Sequence, residues 1–145
     1  MKKYALLLVM LPLATSAVHA QYLSENLVPA AVVATFKHVY PSSKEVRWEK
    51  EAANFEAGFK LKGQERSVVI SPAGTLLETE ILLAAAQLPA PVRATLMRDY
   101  QHYQVIEAAK IIRAASGNIV YEAEVSRAGK KQELLFHANG TKVND

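Results

Sequence analysis

The chain repeats itself, and this constrains its fold more than any other feature. Val28-Pro29-Ala30-Ala31-Val32-Val33-Ala34-Thr35-Phe36 returns sixty residues later as Leu88-Pro89-Ala90-Pro91-Val92-Arg93-Ala94-Thr95-Leu96. Each copy runs on to a tyrosine, Tyr40 and Tyr100. A second block, Phe55-Glu56-Ala57-Gly58-Phe59 through Ala73-Gly74-Thr75, returns sixty-six residues later as Tyr121-Glu122-Ala123-Glu124-Val125 through Asn139-Gly140-Thr141. Such a chain builds one small unit twice, and neither copy carries a recognisable reactive group.

Within the first copy, Val28, Val32, Phe36 and Tyr40 recur every four residues and form one apolar helical stripe. Pro29 stands at the first turn, where a helix tolerates it, after Asn26 as a candidate cap, and Pro41-Ser42-Ser43 ends the helix. Leu88, Val92, Leu96 and Tyr100 repeat the stripe behind Pro89. After each helix the period drops to two. Val46 and Trp48 alternate with Arg47 and Glu49. Phe55, Ala57, Phe59 and Leu61 alternate with Glu56, Gly58 and Lys60, and Ile119, Tyr121, Ala123 and Val125 alternate with Glu122 and Glu124. Lys62-Gly63-Gln64 and Ala128-Gly129-Lys130 read as tight hairpins, and Ser71-Pro72-Ala73-Gly74 and His137-Ala138-Asn139-Gly140 as second turns. Residues 75–80 read as a fourth strand, and Ile81 to Gln87, helical in composition, as a short turn into Pro89. The second copy has six extra residues between helix and second strand, and their register is not assignable from pattern.

The expected fold class is α+β: a tandem repeat of helix plus antiparallel β-meander, the two sheets joined into one curved sheet with both helices on one face. One copy is too small to bury both its helix stripe and its strand face, whereas joining two sheets removes two exposed edges. Two loosely tethered modules are the alternative, disfavoured because the connector lacks Gly/Ser or charged linker character.

Residues 1–20 are expected to be a cleaved signal peptide. Lys2-Lys3 precede an apolar run, Tyr4 to Leu13, too short to span a bilayer, and Val18-His19-Ala20 presents a cleavage site before Gln21. No cysteine follows, so a lipid anchor is chemically excluded. Residues 21–145 would then be a single domain of two repeats, about 27–80 and 87–145, in the periplasm or secreted. Losing Lys2 and Lys3 lowers the basic residues from seventeen to fifteen against fourteen acids, a net +1. Nearly balanced charge gives no phosphate-tracking stripe, so nucleic acid is not expected as a partner, nor is a membrane after cleavage. Without cysteine, stability must come from burial.

A search for chemistry finds no catalytic, cofactor-binding or metal-ligating set. Ser24, Ser42, Ser43, Ser67, Ser71, Ser116 and Ser126 lie in neither a Gly-x-Ser-x-Gly elbow nor a Ser-x-x-Lys motif. His38, His102 and His137 are not spaced as metal pairs. Phosphate-binding glycine loops are absent, and Glu49, Glu56, Glu122 and Glu124 read as the wet face of a sheet. Trp48 is assigned to the core, with an interface as the alternative. Val69 and Leu135, equivalent in the two copies, should point away from the helices. With Glu56, Lys60, Glu122 and Glu124 they outline a candidate partner-binding face with an apolar centre and charged surround. The competing reading is a scattered pair of exposed aliphatics.

Val28-Pro29, Val32, Phe36 and Tyr40-Pro41, followed by Val46-Arg47-Trp48-Glu49 and Phe55-Glu56-Ala57-Gly58-Phe59, resemble the PepSY-like family of small exported bacterial proteins, named for similarity to beta-lactamase-inhibitor protein and PepSY domains. The resemblance spans essentially the whole mature chain. It implies a tandem helix-plus-sheet fold in the periplasm with no established activity, and related folds suggest enzyme inhibition. Family members often carry Asp-x-Asp-Gly at the hairpins, whereas this chain has Ser71-Pro72-Ala73-Gly74 and His137-Ala138-Asn139-Gly140, which weakens any cation role there. The expected function is a non-enzymatic module engaging a periplasmic protein or peptide through the open sheet face, possible enzyme inhibition included. A small ligand or lipid carrier, or a hydrolase of the cell envelope, is the alternative; a closed apolar pocket with converging polar groups would favour it.

Overall fold

The computed structural model describes residues 22–143. The expected signal peptide therefore lies outside the described residues. Helices α1 (Ala30–Val39) and α2 (Ala90–Asp99) are ten residues each, and their apolar stripes turn inward. Val28, Val32 and Phe36, and Leu88, Val92 and Leu96, are all buried, with Tyr40 and Tyr100 half-buried at the helix ends. Pro29 and Pro89 hold the N-cap positions, where φ near −50° suits the entry to a helix. Asn26 does not cap α1. It sits within a single 3-10 turn, Glu25–Leu27, closed by the Val28 N–H donating to the Glu25 carbonyl at 3.1 Å.

Seven strands follow the helices in two runs: β1 (Lys44–Glu51), β2 (Asn54–Leu61), β3 (Gln64–Ile70), β4 (Leu76–Leu83), then β5 (Gln104–Arg113), β6 (Ile119–Arg127) and β7 (Lys130–Phe136). They form one open antiparallel sheet in the order β1-β2-β3-β4-β5-β6-β7. Two-residue turns with positive φ at Lys62-Gly63 and Ala128-Gly129 close the β2–β3 and β6–β7 hairpins, as their sequences require. β4 and β5 join the two halves, with Glu80 opposite Ile111 and Leu83 opposite Ala108. Ile81 to Leu83, expected to be part of a turn, are strand: pairing with β5 satisfies their backbone, and only Ala85–Gln87 form a 3-10 turn. The extra residues of the second half lengthen the β5–β6 hairpin, adding Ile112 opposite Ile119 and placing Arg113 beside Glu78 of β4.

Register assigns the two faces, since directly opposed residues share a side. Phe59, Arg66, Ile81, Lys110, Tyr121 and Phe136 lie in one cross-strand row, so both helices pack on the same side of the sheet. Two apolar clusters lie beneath them. One gathers Phe36, Trp48, Phe55, Phe59 and Ile70 around α1, confirming Trp48 as a core residue at 3% exposure. The other gathers Leu96, Ala108, Val125, Leu134 and Phe136 around α2. Val46 does not join the first. A β-bulge between Lys44 and Arg47, with Glu45 at φ 55°, breaks the alternation and leaves Val46 exposed.

The second turn of each half docks on its helix. The Thr35 hydroxyl donates to the Gly74 carbonyl at 2.7 Å, and that of Thr95 to the Gly140 carbonyl at 2.9 Å. Both glycines have positive φ and lie against helix carbonyls: a Cβ at Gly74 would stand 2.9 Å from the Ala31 oxygen, and one at Gly140 2.5 Å from the Pro91 oxygen. No side chain but glycine's fits there. Among the described residues no helix is long and apolar enough to cross a membrane.

Candidate functional site

The face that the helices leave bare is acidic. By register it carries Glu49 and Glu51 from β1, Glu56 from β2, Glu65 from β3, Glu78 and Glu80 from β4, Glu107 from β5, Glu122 and Glu124 from β6, and Glu133 from β7. That is ten of the chain's fourteen acids. The bases sharing the face, Lys44, Arg47, Lys60, Arg113 and Lys131, stand on its rim. Several of them are tied down: Lys60 to Glu45 at 2.7 Å, Arg113 to Glu78 at 3.5 Å and Lys131 to Glu124 at 3.1 Å. Opposed like charges, Glu49 with Glu56 and Glu124 with both Glu107 and Glu133, weaken a sheet. The chain has thus segregated its charge at some cost to its own stability.

The sequence-derived residues Glu56, Lys60, Val69, Glu122, Glu124 and Leu135 all project onto this face, but their arrangement differs from that expected. Val69 lies between Glu56 and Glu78, and Leu135 beside Glu122. The two aliphatics sit on β3 and β7, four strand spacings or roughly 19 Å apart, so they form no apolar centre. The centre is occupied by Glu80 and Glu107, which sequence reasoning missed, together with Glu122. One carboxylate oxygen from each of these three lies within 4.8 Å of the others. No ion pair among the described residues reaches this trio. β4, β5 and β6 each supply one member, so no local spacing could have revealed them.

An apolar floor raises the electrostatic cost of the cluster. Ala109, Ile111 and Val120 project onto the same face by register yet are buried, each paired with or adjacent to a glutamate. Burial is the main cause that pushes Glu122 up to about 8 and Glu80 to about 7, with surrounding glutamates adding to it. Glu56 is raised chiefly by burial, partly offset by the Ser67 hydroxyl. Glu80 and Glu122 therefore give up their protons at higher pH than an ordinary carboxylate, and each titration depends on the charge of its neighbours. Three such oxygens are also the donor type a hard cation takes.

Beside the trio lies a hollow of about 300 Å³ over Gly58, rimmed by Arg47, Glu49, Glu56, Glu65, Glu80 and Glu107. Gly58 opens it: a Cβ there would meet nothing within 4 Å, whereas Glu124 stands at the matching place in the second half. Five carboxylates against two arginines, Arg47 and Arg66, leave an acidic excess that suits an incoming ammonium or guanidinium. The histidines converge on none of this: His38 is on α1, His102 follows α2 and His137 is in the last turn.

No protein-family model matches the chain, and no curated protein sequence does. Solved structures resemble it in fold. A protein of the DUF2874 family from Bacteroides uniformis superposes with a TM-score of 0.71 at 20% identity, over 80% of this chain and 86% of that one. A BLIP-like protein from Bacteroides fragilis gives 0.65 at 24% identity, over 80% and 84%. A Bacteroides eggerthii protein, described provisionally as periplasmic, gives 0.72 at 17%, over 81% and 86%. At such identities the likeness is one of fold: α+β, with an open antiparallel sheet and two helices.

Proposed function

We propose that this chain is an exported, non-enzymatic binding module, two PepSY-like repeats sharing one sheet, whose helix-free face engages a basic segment of a partner protein. The observation that carries the reading is the acidity of that face: ten glutamates, a rim of bases, and a hollow over Gly58 sized for a lysine or arginine side chain. Like charge accumulated against sheet stability marks a surface kept for binding. Such a face repels phosphate, which argues against nucleic acid. Export rests on the leader-like segment before Gln21, and the neighbour described provisionally as periplasmic supports it. The repeat reading draws support from the matched Thr35–Gly74 and Thr95–Gly140 contacts. Where the covered partner is an enzyme, binding would inhibit it, and the BLIP-like neighbour makes exported enzymes the first partners to try.

Labelled Lys/Arg-rich and Asp/Glu-rich peptides, titrated with the mature chain and followed by fluorescence anisotropy, test the reading. The basic peptide should bind saturably and weaken with salt, the acidic one should not bind, and Glu80→Lys with Glu107→Lys should cost at least about tenfold in affinity. Binding indifferent to peptide charge, or unchanged in the double variant, would sink the proposal.

A further inference from the structure

The second half contains an apolar trough on the opposite side of the sheet, independent of the acidic face. Its origin is a set of size changes at matched positions. In the first half Phe36 packs edge-on against Trp48 and Phe59, with ring centroids 5.3 and 5.1 Å away, and Tyr40 lies 4.7 Å from Phe59. Register identifies the counterparts: Trp48 opposes Ala57 as Ala108 opposes Ala123, while Leu96 and Val125 stand where Phe36 and Phe59 do. Three large rings are thus matched by leucine, alanine and valine on a similar backbone.

Phe136, standing where the first half has Ile70, takes back part of that volume, and beside it the helix side is open to solvent. A cavity of about 400 Å³ runs along Leu96, Met97, Tyr100, Tyr103, Val105 and Val125. It continues past Met97 into a second of about 260 Å³, bounded by Leu88 and Arg93. Met97 is 74% exposed, although methionine is an adaptable contact residue, and its first-half counterpart Lys37 is instead paired with Glu25 at 2.6 Å. Size and lining match those of small-molecule sites, mostly apolar with a few polar groups at one end.

Charge selects the occupant. Arg127 stands over the Tyr103 ring at 5.7 Å, and Arg93 flanks the far end. Neither appears in an ion pair among the described residues. Asp99, the acid nearest this end, is neutralised by both guanidinium contacts of Arg98, at 2.7 and 2.8 Å. A cationic rim on an apolar trough fits an anion with a tail.

We propose that this trough binds a single-chain anionic amphiphile, its tail along Leu96, Met97 and Val105 and its headgroup against Arg127. Fatty-acid carboxylates and lysophospholipid phosphates share that chemistry. Isothermal titration of the mature chain below micelle concentrations, with dodecanoate, decanoate, a dodecyl phosphate and dodecyltrimethylammonium, tests it. Dodecanoate should bind one-to-one, decanoate about tenfold more weakly, and the ammonium at least tenfold more weakly than dodecanoate. Comparing carboxylate with phosphate distinguishes the two sources. Arg127→Ala should abolish the preference for anions while retaining tail binding. Val125→Phe and Leu96→Phe, which restore the first half's rings, should remove binding with melting temperature unchanged or raised. Should either fold poorly, exposed Met97→Glu tests the same tail contact. Absence of saturable dodecanoate binding, no charge preference, or full affinity in the filled variants would overturn the assignment. So would self-association that Met97→Glu abolishes and dodecanoate leaves untouched, since the trough would then be occupied by a second copy. Peptide binding at the acidic face is read in a separate assay, so either proposal can fail alone.

Discussion

The two halves of this molecule, each a helix followed by antiparallel strands, fill their two faces in opposite ways. The first is closed: interlocked rings of Phe36, Trp48 and Phe59 fill its helix side, Leu23 bridges to Trp48, and a Lys37–Glu25 pair sits outside. On its bare face it is open, because Gly58 leaves a hollow where the second half has Glu124. The second half reverses both choices. Its helix side is open along Met97, Tyr100, Tyr103 and Val105, and its bare face is crowded by Glu107, Glu122, Glu124 and Glu133.

The largest expected effect tests the closed core against the open one. Phe36→Ala removes a ring touching three aromatics and should cost about 3–5 kcal/mol in urea unfolding. Leu96→Ala removes a smaller, buried side chain that lines an open cavity and should cost about 2–3 kcal/mol, at the low end of such changes. Equal losses would erase the distinction between the halves.

A smaller effect should separate the docked turns. Gly74→Ala and Gly140→Ala each force a side chain into positive φ against a helix carbonyl, for about 1–3 kcal/mol. The closer approach at Gly140, 2.5 against 2.9 Å, predicts the greater drop in melting temperature there. The reverse order would mean that the second turn undocks more cheaply than its geometry implies.

The mildest effect belongs to the bare face. Glu80 and Glu122 bind protons more tightly folded than unfolded, so their contribution to stability is full below about pH 4.5 and is lost as pH rises through about 7 and 8. Glu122→Gln should flatten that decline and raise stability at pH 8 by about 1 kcal/mol, a figure reduced for the half-exposed setting. Chemical denaturation at pH 5 and pH 8 measures both effects, and a slope untouched by Glu122→Gln would remove the proton-holding cluster.

Local pattern made much of this legible. Val28-Val32-Phe36 and Leu88-Val92-Leu96 announced their helices because each stripe is read along one element, and Lys62-Gly63 and Ala128-Gly129 announced hairpins because a two-residue turn depends only on its own dihedrals. Ile81 to Leu83 misled because β-pairing with β5 outweighed a helical composition, and Val46 because a bulge shifted it out of phase. The bare face was recognised through Glu56, Val69, Glu122 and Leu135, but its centre was not, because Glu80, Glu107 and Glu122 meet only when three strands settle in register.

By itself the sequence determined the elements, their order and which side of each strand is apolar, since those follow from periodicity and turn chemistry within a few residues. Tertiary structure alone decided which glutamates share a proton-holding cluster and which missing ring opens a trough. Those depend on cross-strand register and on the burial it creates, and neither is a property of any one segment.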